Sequence, residues 1–208
     1  MREVRSSNLL SQTKHIQGVA QLVARYVRDV EVVGSSPITL TTQGGIYTMK
    51  TLVVYYSAEG HTKKIAEEIG KNLGADLFEI IPDPIYTTDD LDWTNPDSRS
   101  SRENDEPELR ENLKLKITTP DNWNEYDRII LGYPIWWGIA AWPTNTFVKL
   151  NNWANKTICP FCTSHSSGLG DSDLLLKDDA NGGNWQDGVR FFQDANVAEI
   201  KEWTDSLN

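Results

Sequence analysis

The chain has 208 residues, enough for one α/β domain or one domain with appendages. Twenty Lys and Arg against 30 Asp and Glu give a net charge of −10, which argues against nucleic acid or an anionic membrane as partner. No apolar run is long enough to span a bilayer, and two cysteines without a secretory leader suggest a reducing cytoplasm.

Residues 1–48 read unlike the rest. Residues 18–25 have the pattern of a short amphipathic helix, and residues 30–33 that of a strand. Another reading fits better. Val19-Ala-Gln-Leu-Val23 is what GTA-GCT-CAG-TTG-GTA encodes, which resembles the D arm of a transfer-RNA gene. Gly34-Ser-Ser-Pro37 is what GGT-TCG-AGT-CCC encodes, which resembles the T arm, and the separation also matches. The stretch is therefore read as mis-called translation, or a disordered extension, ahead of a start at Met49, and the domain as residues 49–208. Five of the basic and three of the acidic residues precede Met49, so the remainder carries −12.

Val53, Val54, Tyr55 and Tyr56 are β-branched or aromatic and form too short a run for a helix, so they predict a strand. The turn Ser57-Ala58-Glu59-Gly60-His61-Thr62 follows. A helix is then predicted, with Ile65, Ile69 and Leu73 on one face and Gly74 as its stop. A strand, a hydroxyl-bearing turn and a helix N-terminus make an anion site, because first-turn N–H groups lack intrahelical partners. The turn has neither the P-loop nor the GxGxxG pattern, so it suits a single terminal phosphate. These residues resemble the flavodoxin-like family, whose first loop reads Ser/Thr-x-Thr-Gly-x-Thr and holds the FMN phosphate. Glu59 stands where that family usually has a hydroxyl.

Residues 76–81 alternate as a second strand, parallel to the first across a βαβ crossover. Residues 82–126 are acidic and proline-interrupted, with short helical signals at 89–93 and 106–112. Tyr86 and Trp93 are poor residues to leave in water, so one of them is expected near the site. Residues 128–132 are uniformly apolar after Arg128, as a buried parallel strand is. They lead into Tyr133-Pro134-Ile135-Trp136-Trp137-Gly138. Adjacent residues at a strand end point apart, so at least one tryptophan should face a cleft, where a wall of rings suits a flat heteroaromatic ligand. This segment resembles the second FMN loop of the family and is followed by a predicted helix at 144–150.

Residues 156–163 are the fourth strand. Cys159-Pro-Phe-Cys162 has CxxC spacing, but in a strand positions three apart face opposite ways, so buried thiols are expected rather than a redox pair or a zinc site. The following Thr163-Ser164-His165-Ser166-Ser167-Gly168 resembles the third flavin loop, whose N–H groups and hydroxyls would bond the pyrimidine edge. A Ser-His-Asp hydrolase built on Ser57 or Ser164 with His165 lacks the GxSxG elbow. A helix begins near Asp171, a fifth strand is predicted at 188–192, and Asn196 with Glu199 forms a capping box for a last helix burying Val197, Ile200, Trp203 and Leu207.

Five apolar strands alternating with helices predict a doubly wound five-stranded parallel sheet. The strand order 2-1-3-4-5 is what the resemblance implies. So is FMN, held by Ser57, Ala58, Glu59, Gly60, His61, Thr62, by Pro134, Ile135, Trp136, Trp137, Gly138, and by Thr163, Ser164, His165, Ser166, Gly168. The implied role is electron transfer, with a redox partner protein or a small-molecule acceptor. An FMN-dependent NAD(P)H:quinone-type oxidoreductase and a flavin-binding module without turnover are the alternatives.

Overall fold

The computed structural model describes residues 40–42, 45–47 and 49–207. The helix pattern at 18–25 and the strand pattern at 30–33 lie outside the described residues. Strands β1 (Leu40–Thr42) and β2 (Gly45–Tyr47) form a small antiparallel hairpin. Met49–Leu207 form a separate compact unit.

In that unit β3 (Thr51–Tyr55) is an interior strand, buried along its whole length. Its alternate residues enter different cores. Leu52 and Val54 join one cluster, Val53 and Tyr55 the other, as a period of two across a doubly covered sheet requires. Helix α1 (His61–Leu73) buries Ile65, Ala66 and Ile69 on the second face and ends at Gly74, whose φ of 59° closes the last turn. Strand β4 (Asp76–Glu79) pairs parallel to β3, Val53 opposite Leu77.

The acidic excursion is more ordered than its composition suggests. A two-stranded ribbon of β5 (Pro82–Asp83) and β6 (Lys114–Leu115) brackets helices α2 (Arg99–Asp105) and α3 (Pro107–Glu111). Helix α3 falls on the second predicted signal, whereas residues 89–93 form turns. Helix α2 has no apolar stripe. It is capped by Ser98, whose side chain accepts from the Ser101 N–H, and its buried face is made of Ser100, Ser101 and Glu103.

Strand β7 (Arg128–Trp136) pairs with β3 through Ile130 opposite Val53, and with β9 (Thr157–Thr163) through Ile130 opposite Cys159. It extends well past Gly132. Between them, α4 (Trp142–Leu150) starts earlier than residue 144, with Pro143 in its first turn, where a missing N–H costs nothing. Helix α5 (Ser172–Ala180) follows β9. The fifth strand comes in two pieces, β10 (Asn184–Trp185) on the start of β9 and β11 (Val189–Phe191) on its end. The interruption falls at Gly188, where a Cβ would lie 3.0 Å from Leu169 Cδ2. Helix α6 (Val197–Ser206) carries the full capping box: Asn196 Oδ1 accepts from Ala198 and Glu199, and Glu199 accepts from the Asn196 N–H. Ile200 is buried and Trp203 and Leu207 half-buried, but Val197 is 58 % exposed. A first-turn residue has helical neighbours on its C-terminal side only.

The parallel order is β4-β3-β7-β9-β10/β11, which is 2-1-3-4-5 for the five predicted strands. Helices α4 and α5 lie over one core, with Phe147, Trp142 and Leu176; α1 and α6 lie over the other, with Ile69 and Ile200. The fold is a doubly wound α/β sheet. Within the sheet, Gly132 on β7 is tightly packed: an added Cβ would sit 2.2 Å from the ring of Phe161, itself fully buried. Gly132→Ala is therefore expected to cost about 1–3 kcal/mol through overpacking. Denaturant unfolding with an unchanged midpoint would show that the ring has room to swing.

Candidate functional site

The carboxyl ends of β3, β7 and β9 are where an open parallel sheet leaves backbone groups free and helix N-termini converge. There the three loops meet around a cleft of about 450 Å³. Thirteen of the sixteen residues singled out from sequence line it: Ser57, Ala58, Glu59, His61 and Thr62; Pro134, Ile135, Trp136 and Trp137; Thr163, Ser164, His165 and Ser166. Gly60, Gly138 and Gly168 do not. Two of these serve the backbone instead, since φ is 87° at Gly60 and 82° at Gly138, a region open to glycine at little cost.

Gly60 is the N-cap of α1 and, lacking a side chain, supplies no cap bond. The Ser57 hydroxyl accepts the Lys63 N–H at 3.2 Å, and Lys64 N–H bonds Gly60 O at 3.1 Å. The first-turn N–H groups of His61 and Thr62 have no intrahelical acceptor. Thr62, 1 % exposed, exchanges a hydrogen bond with Thr163 at 2.8 Å, which ties the first loop to the end of β9. Ser57 still has its O–H to donate. The turn thus offers donors to an anion, and no Lys or Arg is among the cleft's lining residues. Glu59, exposed, is its one carboxylate.

The second loop is a hairpin. Strand β7 pairs with β8 (Ile139–Ala140), Trp136 opposite Ile139, so Trp137 and Gly138 are the two turn residues. Both have positive φ, 46° and 82°, as a turn of the primed type demands. A tryptophan there is strained by about 1–2 kcal/mol. The turn aims the two indoles apart. Trp136 is half-buried and stands edge-on to Tyr56, Tyr86 and Trp142 at 5.1–5.7 Å between centroids. Trp137 is 43 % exposed and lies flat against Trp142 at 6.0 Å. Both line the cleft.

Behind Trp136, Tyr86 donates a short hydrogen bond to Glu103, and Arg99 bonds the same carboxylate at 2.8 Å while covering the Tyr86 ring at 3.9 Å. Burial pushes the Tyr56 phenol up, and burial with the Glu103 bond does the same for Tyr86, so both stay protonated. Of the two aromatics in the excursion, Trp93 reaches the cleft wall directly and Tyr86 buttresses it from behind.

In the third loop Ser164 donates to the carbonyl of Ser167, and its N–H bonds Phe191 O at 3.3 Å. Among the described residues the Ser57 hydroxyl is bonded to the Lys63 N–H and the Ser164 hydroxyl to the Ser167 carbonyl, neither to a histidine. Cys159 and Cys162 enter different cores, and burial raises both thiols, Cys162 to about 12. They cannot act as a redox pair.

Ser167, quoted within the third loop, also lines the cleft, and sequence reading missed three lining residues: Leu91, Ser100 and Gln193. Ser100 matters most. It is 2 % exposed, and its Oγ has no partner among the described residues. A buried hydroxyl on a ligand cleft without a protein partner fits a polar ligand that completes it. The donors, the buried hydroxyl and the indole wall together fit a phosphorylated cofactor with a polyol chain and a flat ring. FMN has those parts.

A family model described as flavodoxin matches residues 50–207. A candidate flavoprotein of Bacteroides eggerthii is 39 % identical, with 76 % of this chain and 96 % of that one covered and a TM-score of 0.67. A second, from Bacteroides uniformis, is 36 % identical over 74 % and 97 %, with a TM-score of 0.68. A flavoprotein of Lactobacillus acidophilus in complex with FMN is 25 % identical over 76 % and 99 %, with a TM-score of 0.53. No curated protein matches at a significant level.

Proposed function

The chain belongs to the flavodoxin family, and from that premise we propose that its cleft holds FMN and that the protein carries electrons. One observation carries the reading: the Ser57–Thr62 turn, with its uncommitted donors, opens into the same cleft as the Trp136–Trp137 pair. Ser57 and the N–H groups of His61 and Thr62 would hold the phosphate. Ser100 would meet the ribityl chain, and the third loop the pyrimidine edge. Bound there, FMN supplies reversible one- and two-electron chemistry.

The residues of the chain decide how that chemistry is tuned. Glu59 and the acidic domain disfavour added negative charge on the ring. The Trp137–Gly138 turn would place a backbone carbonyl to accept a hydrogen bond from the protonated flavin N5. Partners would be a redox protein or a small-molecule acceptor. No helix among the described residues is long and apolar enough to cross a membrane.

A reductase is the second reading, favoured by Trp93, which is 75 % exposed on the cleft wall and free to stack on a flat substrate. Stepwise dithionite titration of the FMN-loaded protein separates the two. A carrier should show long-wavelength absorbance from one-electron reduction, and Gly138→Ala should diminish it by hindering the turn. Rapid direct bleaching by NADPH, with no one-electron stage, would favour the reductase.

A further inference from the structure

A second cavity, of about 570 Å³, is lined by residues of α3, α4 and α5, by Leu113 just after α3, and by Ile139 of β8, the return strand of the second-loop hairpin. Its apolar wall includes Leu113 and Ile139. Its polar groups are unusual in being left over. Trp142 is 2 % exposed, and its indole N–H has no acceptor among the described residues. Asn145 lies one turn further along α4 on the same face. Its amide nitrogen donates to Asp179 at 3.1 Å, which fixes the amide's orientation and leaves Oδ1 as a buried acceptor without a donor. Asp179 is also met by Lys149 at 3.6 Å, so those two charges offset each other.

Two charges on the rim are not offset in that way. The Arg110 guanidinium lies 4.4 Å over the face of Trp142, and no carboxylate forms an ion pair with it among the described residues. Glu111, the next residue, is exposed and likewise has no ion pair among them. Among the described residues that line the cavity there are therefore two donors without a protein acceptor, Arg110 and the buried indole N–H, and two acceptors without a protein donor, Glu111 and the buried Asn145 Oδ1.

We infer that this cavity binds a free amino acid with an apolar side chain. The carboxylate takes Arg110 and the Trp142 N–H, the ammonium takes Glu111 and Asn145 Oδ1, and the side chain lies on Leu113 and Ile139. A simple anion would leave both acceptors unmet, and a simple cation both donors, each at the cost of a buried polar group without a partner. A zwitterion has no net charge and is not repelled by the acidic domain. The inference does not depend on what occupies the cleft.

The test uses the full chain as purified, titrated calorimetrically with L-leucine, L-leucinamide, N-acetyl-L-leucine and glycine. Nitrogen-edited proton NMR follows the Trp142 indole N–H, assigned with Trp142→Phe. L-leucine should bind saturably and shift that resonance. The two blocked derivatives and glycine should bind at least about tenfold more weakly, since each removes a charged contact or the apolar one. Arg110→Gln, at a half-exposed position that does not threaten folding, should weaken L-leucine by about tenfold or more. Absence of saturable binding overturns the assignment. So does equal binding of the four compounds, or an affinity unmoved by Arg110→Gln; calorimetry reads each of these even if Trp142→Phe does not fold.

Discussion

Replacing Ser57 and Thr62 together by alanine is expected to lower FMN affinity by at least tenfold while leaving riboflavin affinity nearly unchanged. The two ligands differ only in the phosphate, so the contrast isolates the group that the turn would hold. A hydrogen bond from a hydroxyl to a charged acceptor is worth about 1.5–3 kcal/mol, so the loss of one such bond already accounts for a tenfold change. Both hydroxyls also have internal duties. Ser57 receives the Lys63 N–H, and Thr62 is bonded to Thr163 in a buried setting. The variant should therefore be less stable by about 1–3 kcal/mol as well, from a lost helix-start acceptor and an orphaned Thr163. Single substitutions measured by calorimetry against FMN and riboflavin separate the two effects. Parallel losses for both ligands would mean that the phosphate sits elsewhere.

Gly170→Ala should damage the site from outside it. Gly170 has a φ of 58°, and a Cβ there would lie 1.9 Å from the carbonyl oxygen of Gly138. That oxygen belongs to the Trp137–Gly138 turn and also accepts the Asp171 N–H at 3.4 Å. Backbone cannot rotate away as a long side chain does, so the turn must shift or the α5 entry must open. Left-handed strain of about 1–2 kcal/mol adds to overpacking of about 1–3 kcal/mol. For a domain of this size a fall in melting temperature of about 4–20 °C follows. Because the turn carries Trp137, its fluorescence environment and the flavin affinity should change together. A variant with native melting temperature and native affinity would show that the approach of the two glycines is not a constraint.

Much of the fold was legible because it depends on local periodicity. The strands at Thr51–Tyr55 and Thr157–Thr163 and the helices at His61–Leu73 and Val197–Ser206 have apolar patterns that only one kind of element can bury. The cleft residues were legible for a related reason. Hydroxyl-rich or tryptophan-rich turns directly after apolar strands must lie at one edge of a parallel sheet, because every strand runs the same way.

Helix α2 was not legible. Its buried face is Ser100, Ser101 and Glu103, a polar set that gives no hydrophobic signal, and Glu103 is held there by Tyr86 and Arg99. Only the folded chain brings those three together, and with them comes Ser100, the buried hydroxyl on the cleft. The hairpin at Trp137–Gly138 was hidden in the same way. A Trp-Gly pair is a weak turn signal, and its left-handed tryptophan is tolerated because strand pairing on one side and Trp142 on the other hold it. The amino-acid order by itself determined which segments form the sheet and which loops meet at its edge, since periodicity and chain direction are local properties. The tertiary structure alone decided which polar groups those loops leave without a partner, since a missing hydrogen bond depends on everything packed around it.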